Sequence, residues 1–389
     1  MRKTLLVALS VLGIGCTNQS QVEIPDHVKD RDPLKIISID QQPISTLKFG
    51  PELEFNTKDS VIIGIPWVVS VDDAKNVYIT DITAPRITVF DSIGTYITQI
   101  GREGSGPGEF RSITDIHFNH DSLTVYDGVT KRFTRFASSL VHSMNDRMYT
   151  ESFFRSIHLS DPPNPTNDEA VIPFPNPFFS TNDGQIISLF KGMSELSKVS
   201  MYLINNQGVR SVGPILEKTI PVHIVRTEMG SGMLPTSRNL LYAITADDQL
   251  VVANSETFLI DKIDLSGKIL NSMYFALTPQ RVQRDALLKQ YEGKSLYRLI
   301  EIAELVDTWP VLHSMIVDDL NRIWVSAIID STTHHRWFVF DELFEMQYQF
   351  HLEKSKSIVL VKNGVAYIRT TDATTGLFSF SKTEISDKD

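Results

Sequence analysis

Apolar and polar positions alternate with period two along most of the chain, in short runs rich in Val, Ile, Tyr, Phe and Thr that are broken by Asp, Asn and Gly. Such runs predict half-buried antiparallel strands joined by tight turns. The pattern also repeats. VDDAKNVYIT from Val71 and VDDLNRIWVS from Val317 match at nearly every position, and RITVFDSIGTYITQI from Arg86 and RWFVFDELFEMQYQF from Arg336 continue the match. Each copy reads as strand, Asp/Asn-rich turn, strand, loop, strand, Asp-x-x-Gly turn, strand. Fainter copies fill the interval: Ile113 to Asp127 aligns with Trp67 to Asp81, while TNDGQIIS from Thr181 and TADDQLVV from Thr245 repeat the first hairpin. The second turn recurs as DSIG (Asp91 to Gly94), NNQG (Asn205 to Gly208) and DLSG (Asp264 to Gly267).

Units therefore start near residues 65, 112, 178, 239 and 312, and a sixth at Ile358 has room for three strands only. A lone meander cannot bury both faces, so such units pack radially as blades, and closing the ring removes exposed edges. The fold expected is all-β, a six-bladed β-propeller with four-stranded antiparallel blades, over residues 34–389. LKIISI, Leu34 to Ile39, is the spare strand expected to complete the last blade.

The V-D-D-x-x-N-V-Y-I-T-D and R-I-T-V-F-D-x-x-G pattern, followed by GREGSGPGEF (Gly101 to Phe110), resembles the NHL-type repeat of six-bladed propeller lipoproteins from Bacteroidetes-type bacteria. The resemblance is specific over Ile65 to Asp127 and fair over Val311 to Phe350. GREGSGPGEF itself has neither the P-loop nor the dinucleotide glycine spacing, and Pro107 and Glu109 oppose phosphate binding, so it reads as a blade-to-blade connector. Two segments break the rhythm. Residues 278–306 open on Thr278 and Pro279 and carry two apolar helical faces, which predicts a helical hairpin between blades four and five. Residues 159–177 carry six prolines and predict an extended loop between blades two and three.

The amino terminus reads as an export signal: Arg2 and Lys3, then about ten apolar residues ending in small side chains. LGIGC resembles a bacterial lipobox ending at Cys16, the only cysteine, with Gly13 standing where the family usually has Leu. The resemblance implies a signal peptide over residues 1–15 and a lipid anchor at Cys16. Because Thr17 follows in place of the Asp that retains lipoproteins at the inner membrane in enterobacteria, it implies an outer-membrane destination. Residues 16–33 are polar and read as a tether. Hydrophobic content is 42% and net charge −10, and removing Arg2 and Lys3 leaves 35 basic against 47 acidic residues. That balance repels nucleic acid and anionic lipid headgroups. With Cys16 at the anchor, no cysteine remains for a disulfide or a thiol nucleophile.

Local chemistry is sparse. His117 and His120 fall on a strand and in a turn and are expected to lie on the surface without converging on a metal; His334 and His335 are expected to point apart into solvent. No Gly-x-Ser-x-Gly occurs, and GSG at 230–232 reads as loop. The site is therefore expected by position, at a mouth of the central channel where inner strands begin. Repeat alignment places Trp67, Arg111, Asp115, Arg238 and His313 there, with Trp67 as a stacking face and the arginines as carboxylate forks. The leading reading is an envelope binding or scaffold module for a glycan, peptide or protein. The rival is a lyase or lactonase-like hydrolase with a channel metal, calcium being the candidate, although acidic residues do not recur at the inner-strand starts. In a third reading the helical insert docks a partner. No other cofactor is expected.

Overall fold

The structure is a computed structural model describing residues 24–38, 41–55, 63–119, 122–137, 154–159, 171–172, 178–192, 196–227, 230–329 and 333–387. Cys16 and His120 lie outside these residues, as does most of the proline-rich segment, of which Val171–Ile172 pairs with the second strand of blade three.

Six meanders follow one another. Blade one comprises Pro66–Val71, Val77–Asp81, Ala84–Phe90 and Tyr96–Ile100; blade two comprises Ile113–Asn119, Ser122–Asp127, Arg132–Ala137 and Phe154–His158. Blade three uses Phe178–Ser180, Ile186–Gly192, Leu196–Ile204 and Leu216–Pro221. Blade four uses Leu240–Ile244, Leu250–Asn254, Leu259–Ile263 and Ile269–Phe275. Blade five uses Leu312–Val317, Ile323–Ala327, His334–Phe340 and Met346–Glu353. Blade six supplies Lys356–Lys362, Val365–Thr371 and Phe378–Asp387. First strands of neighbouring blades lie against one another and line the channel.

Each blade is sandwiched, so its middle strands bury both faces: every residue of Val77–Asp81 and Ile323–Ala327 is buried. The cores lie between blades. Six apolar clusters each draw on two consecutive blades and together close the circle: one/two around Phe110 and Phe118, two/three around Phe133 and Phe178, three/four around Met201 and Leu250, four/five around Phe258 and Phe338, five/six around Trp324 and Trp337, and six/one around Phe90 and Tyr367.

The repeated polar residues hold the turns. Asp72 accepts the backbone and side-chain N–H of Asn76 and the hydroxyl of Tyr78; Asp318 does the same work for Arg322 and the indole of Trp324, at 2.9 Å. Blades three and four substitute Thr-x-Asp, with Thr181 donating to Asp183 and Thr245 to Asp247, each at 2.6 Å. All four turns place the fourth residue at positive φ: Lys75, Gly184, Asp248 and Asn321. In the connector, Glu109 binds Arg102 and the Gly106 N–H, Phe110 is fully buried, and Gly104 adopts φ 155° where a Cβ would strike the Glu109 carboxylate.

Ring closure differs from expectation. Leu34–Ile37 pairs in parallel with Ile269–Phe275, becoming a fifth strand on blade four. The fourth strand of blade six is instead Leu47–Phe49, antiparallel to Phe378–Asp387, and Leu53–Glu54 adds to the same strand. Within the segment expected as a tether, the described residues pack on blade four: Asp26–Lys29 is a helical turn, Val28 is fully buried against Leu259 and Tyr274, and Arg31 makes a two-point bond to Asp261.

The insert between blades four and five holds helices Arg284–Gln290 and Tyr297–Ile302. The first helix starts later than Thr278 and Pro279 predict, because the entering segment bonds to the leaving one: Val282 N–H to Asp307 O at 2.8 Å and Trp309 N–H to Gln280 O at 2.8 Å. GSG is strand, not loop. Ile224–Thr227 and Gly230–Met233 form a hairpin before blade four, and Val225 and Leu234 pack on Leu287, Ile300 and Ala303 of the helices.

Candidate functional site

A four-stranded meander that enters on its inner strand places its blade-to-blade connections at one end of the channel and its first hairpin turns at the other. The turn end is closed by hydrogen bonds across successive blades. Phe118 N–H donates to Ser70, Asn119 to Ser180 O, Asn182 N–H to Asp248, Ala246 N–H to Asn321, Asn363 N–H to Asp319 and Lys362 to Asp73. The cavity there is only about 270 Å³, and its carboxylates are engaged in holding the ring. Above it, the wall is polar but sealed. Asp115 accepts the N–H of Ile116 and of Phe178, joining blades two and three; burial outweighs these bonds and pushes its carboxyl up to about 7. His117 accepts the Ser180 N–H at 3.1 Å and stands edge-on to Phe179 at 5.6 Å; burial, then the charge of Lys362, lower it to about 4. Tyr242 packs on Phe179 from blade four, its hydroxyl pushed far above its ordinary range by burial and then by Asp115.

The connection end differs in kind. Four inner strands bulge as they begin: at Trp67 and Val68 in blade one, Thr114 in blade two, His313 in blade five and Val359 in blade six. A bulge re-aims side chains that regular pleating would alternate. Between blades five, six and one this gathers aromatic rings and cations. The Arg369 guanidinium lies 5.9 Å from the Trp67 ring and 5.1 Å from Phe378, and Trp67 and Phe378 are 6.0 Å apart. His313 and His335 face each other with ring centroids 4.2 Å apart. The Lys354 ammonium sits 5.8 Å from the Trp309 ring.

The electrostatics are one-sided. Burial lowers both Lys354 and Arg369, and neither makes a side-chain hydrogen bond or ion pair among the described residues. His313 keeps an open edge toward solvent, yet desolvation of its inner side, then Lys354 and Arg369, lower it to about 4. His335 is buried and lowered to about 2 by burial, then by His313 and Lys354. Two permanent cations and two histidines held neutral thus share one mouth without a carboxylate among the described residues.

Of the five residues expected at the mouth, the structure brings two into this group, Trp67 and His313. Arg111 is exposed on the connection before blade two, where its backbone N–H is held by Asp127. Asp115 lies down the wall, not at the rim. Arg238 is consumed structurally: it donates to Thr236 O, Thr308 O and the Thr308 hydroxyl, pinning the end of the helical insert to blade four. The histidines also depart from expectation. His117 is an inner-strand wall residue, and His334 and His335 do point apart, but His335 turns inward while His334 pairs with the Thr333 hydroxyl. Arg369, Lys354, Trp309 and Phe378 were missed. Arg369 carried a signal, since it occupies the second-strand position that holds Thr80, Ala253 and Ser326 in other blades.

A larger cavity of about 770 Å³ lies between the helical insert, the hairpin and blades three and four. Arg226 and Arg238 both line it, and Arg238 is already bonded to Thr236 and Thr308, so volume alone does not make it the better site. Among the described residues, no group of three His, Cys, Asp or Glu side chains is placed to hold a metal ion, and no helix is long and apolar enough to cross a membrane.

Comparison with known proteins agrees with the architecture. A family profile described as a 6-bladed beta-propeller matches residues 31–144. A Bacteroides fragilis protein provisionally described as exported superposes with a TM-score of 0.50 at 14% identity, over 92% of this chain and 99% of its own. A streptogramin B lyase (TM-score 0.44, 11% identity, 87% of this chain and 98% of its own) and the PQQ-bound aldose sugar dehydrogenase of Streptomyces coelicolor (0.43, 11%, 89% and 100%) are more distant. No curated protein matches the chain. The closed circle of six inter-blade cores, the profile and the structural likeness together identify the chain as a six-bladed β-propeller with four-stranded antiparallel blades.

Proposed function

We propose that the protein is a lipid-anchored binding module of the cell envelope that takes a glycan at the connection-end mouth between blades five, six and one. The observation that carries this reading is the partly exposed ring surface of Trp67, backed by Arg369 and Phe378, at a bulged strand start. A partly exposed indole fixed by neighbours offers a flat apolar face to a pyranose at little entropic cost. The basic n-region, apolar run and Cys16 supply the anchor in this reading. From Cys16 to Ile24, where the chain is already packed on blade four, an extended chain spans at most about 28 Å, so the anchor would hold that edge near the membrane. Labelling by an alkyne fatty acid, lost in Cys16→Ser, is expected; a labelled Cys16→Ser protein would contradict the anchor. For the site, a glycan array should give hits that Trp67→Ala abolishes without lowering the melting temperature. Hits that survive this substitution would place the ligand elsewhere.

A further inference from the structure

We infer that the ligand of this mouth is acidic, an oxyanion-bearing sugar whose carboxylate or sulfate sits among Lys354, Arg369, His313 and His335. This rests on the reading of the mouth as a ligand site and specifies its chemistry.

Arg369 comes from the second strand of blade six, opposite Ser357, and Lys354 from the connection between blades five and six. The two histidines come from the first and third strands of blade five. Four basic side chains from separate elements converge where proteins ordinarily pair or disperse cations. Four other partly buried cations each meet a carboxylate: Arg31 meets Asp261, Arg322 meets Asp318, Lys356 meets Glu52 and Lys362 meets Asp73. The aromatic neighbours stabilise the two cations but cannot neutralise them. Half-buried cations without a counter-charge cost free energy in the empty protein, and an anion entering the mouth would recover it through charge-assisted bonds. Arg369 offers a planar fork suited to a carboxylate or sulfate, and its position against Trp67 puts that anion beside the surface on which a sugar ring would stack.

Neutral histidines complete the arrangement. A bound anion would favour the charged imidazole that Lys354 and Arg369 now disfavour, so binding should draw protons onto His313 or His335. Asp372 lies on the loop that leads into Phe378, and its Oδ1 accepts the N–H groups of Thr374 and Thr375 and the Thr375 hydroxyl, which turns it to its own loop.

The test is calorimetric titration of the full chain without its signal segment, using trigalacturonic acid, its carboxyl-reduced neutral counterpart and a sulfated disaccharide. The uronate or the sulfated probe should bind at least about ten-fold more tightly than the neutral sugar, the preference should shrink with added salt, and Arg369→Gln and Lys354→Gln should each reduce it about ten-fold. Both variants remove an unpaired charge, so their melting temperatures should match or exceed that of the parent, which separates lost binding from lost folding. Preference for the uronate alone or the sulfated sugar alone identifies the source of the oxyanion and supports the inference. Equal binding of acidic and neutral probes overturns the acidic ligand while leaving the mouth as a site. Binding of none overturns it too, and a Trp67-dependent array hit then preserves the broader reading.

Discussion

Burial keeps both Asp115 and His335 neutral, and because one neutral form carries the proton and the other lacks it, the two pull stability in opposite directions with pH. Asp115 holds its proton up to about 7 against an ordinary 3.8, so its contribution is complete below about 3.8 and is lost as pH rises through 7. His313 and His335 are lowered from 6.5 to about 4 and about 2, so they remain neutral in the fold while the unfolded chain takes up protons. Their contribution is present above about 6.5 and is lost as pH falls below it. His335→Asn, which cannot take up that proton, should flatten the decline of the urea midpoint between pH 6.5 and 4 and leave unchanged the loss that Asp115 contributes as pH rises toward 7. An acid limb as steep as in the parent would show that His335 is not held neutral. At this scale the sequence was legible where one side chain acts on its own turn, as with Asp72, Asp318 and Asp91. Repeat alignment placed His313 at the mouth, but nothing local in the sequence marked His335, whose burial depends on the strand two places away.

Strand pairing shows the same division between local and distant causes. The Asp-x-x-Gly turns and first hairpins follow from bonds within five residues, which is why the blade repeat could be read directly. Closure could not. Leu34–Ile37 and Leu47–Phe49 are both short, apolar and preceded by polar chain, and only the assembled ring decides which edge each meets. Blade four already has four strands, so Leu34–Ile37 reinforces its rim, whereas blade six depends on Leu47–Phe49, with Phe49 edge-on to Phe350 at 5.1 Å. Lys48→Pro removes a ladder donor opposite Ser386 and should destabilise the ring by about 1–3 kcal/mol or promote aggregation through the freed edge. Removing residues 24–38 should leave a folded, soluble propeller of lower melting temperature. Gel filtration and thermal melting check both, and the account fails if the deletion aggregates while Lys48→Pro behaves as the parent does. The hairpin before blade four escaped the sequence reading because its apolar partners, Leu287 and Ile300, arrive from the helical insert some sixty residues later.

At the scale of the molecule, the two ends of the channel divide the labour. The turn end spends its polar groups on its own ring, from Ser70 through Asn182 and Asn321 to Lys362, around a cavity of about 270 Å³. The connection end leaves Trp67 partly exposed and, among the described residues, Lys354 and Arg369 without a counter-charge, at the cost of burying cations that a purely structural ring would not need. Position alone pointed to this end from the sequence, but the residues that give it chemistry come from second strands and connections that the inner-strand alignment did not examine. The four tryptophans offer a direct view of it: Trp67 and Trp309 border the mouth, while Trp324 and Trp337 are almost fully buried in the core between blades five and six. Fluorine NMR of protein labelled with 5-fluorotryptophan, titrated with trigalacturonic acid, is the measurement that bears most directly on the site. Saturable shifts of the Trp67 and Trp309 resonances with Trp324 and Trp337 unmoved are the result expected; no shift would contradict a uronate at this mouth, and shifts confined to the buried pair would place its binding elsewhere.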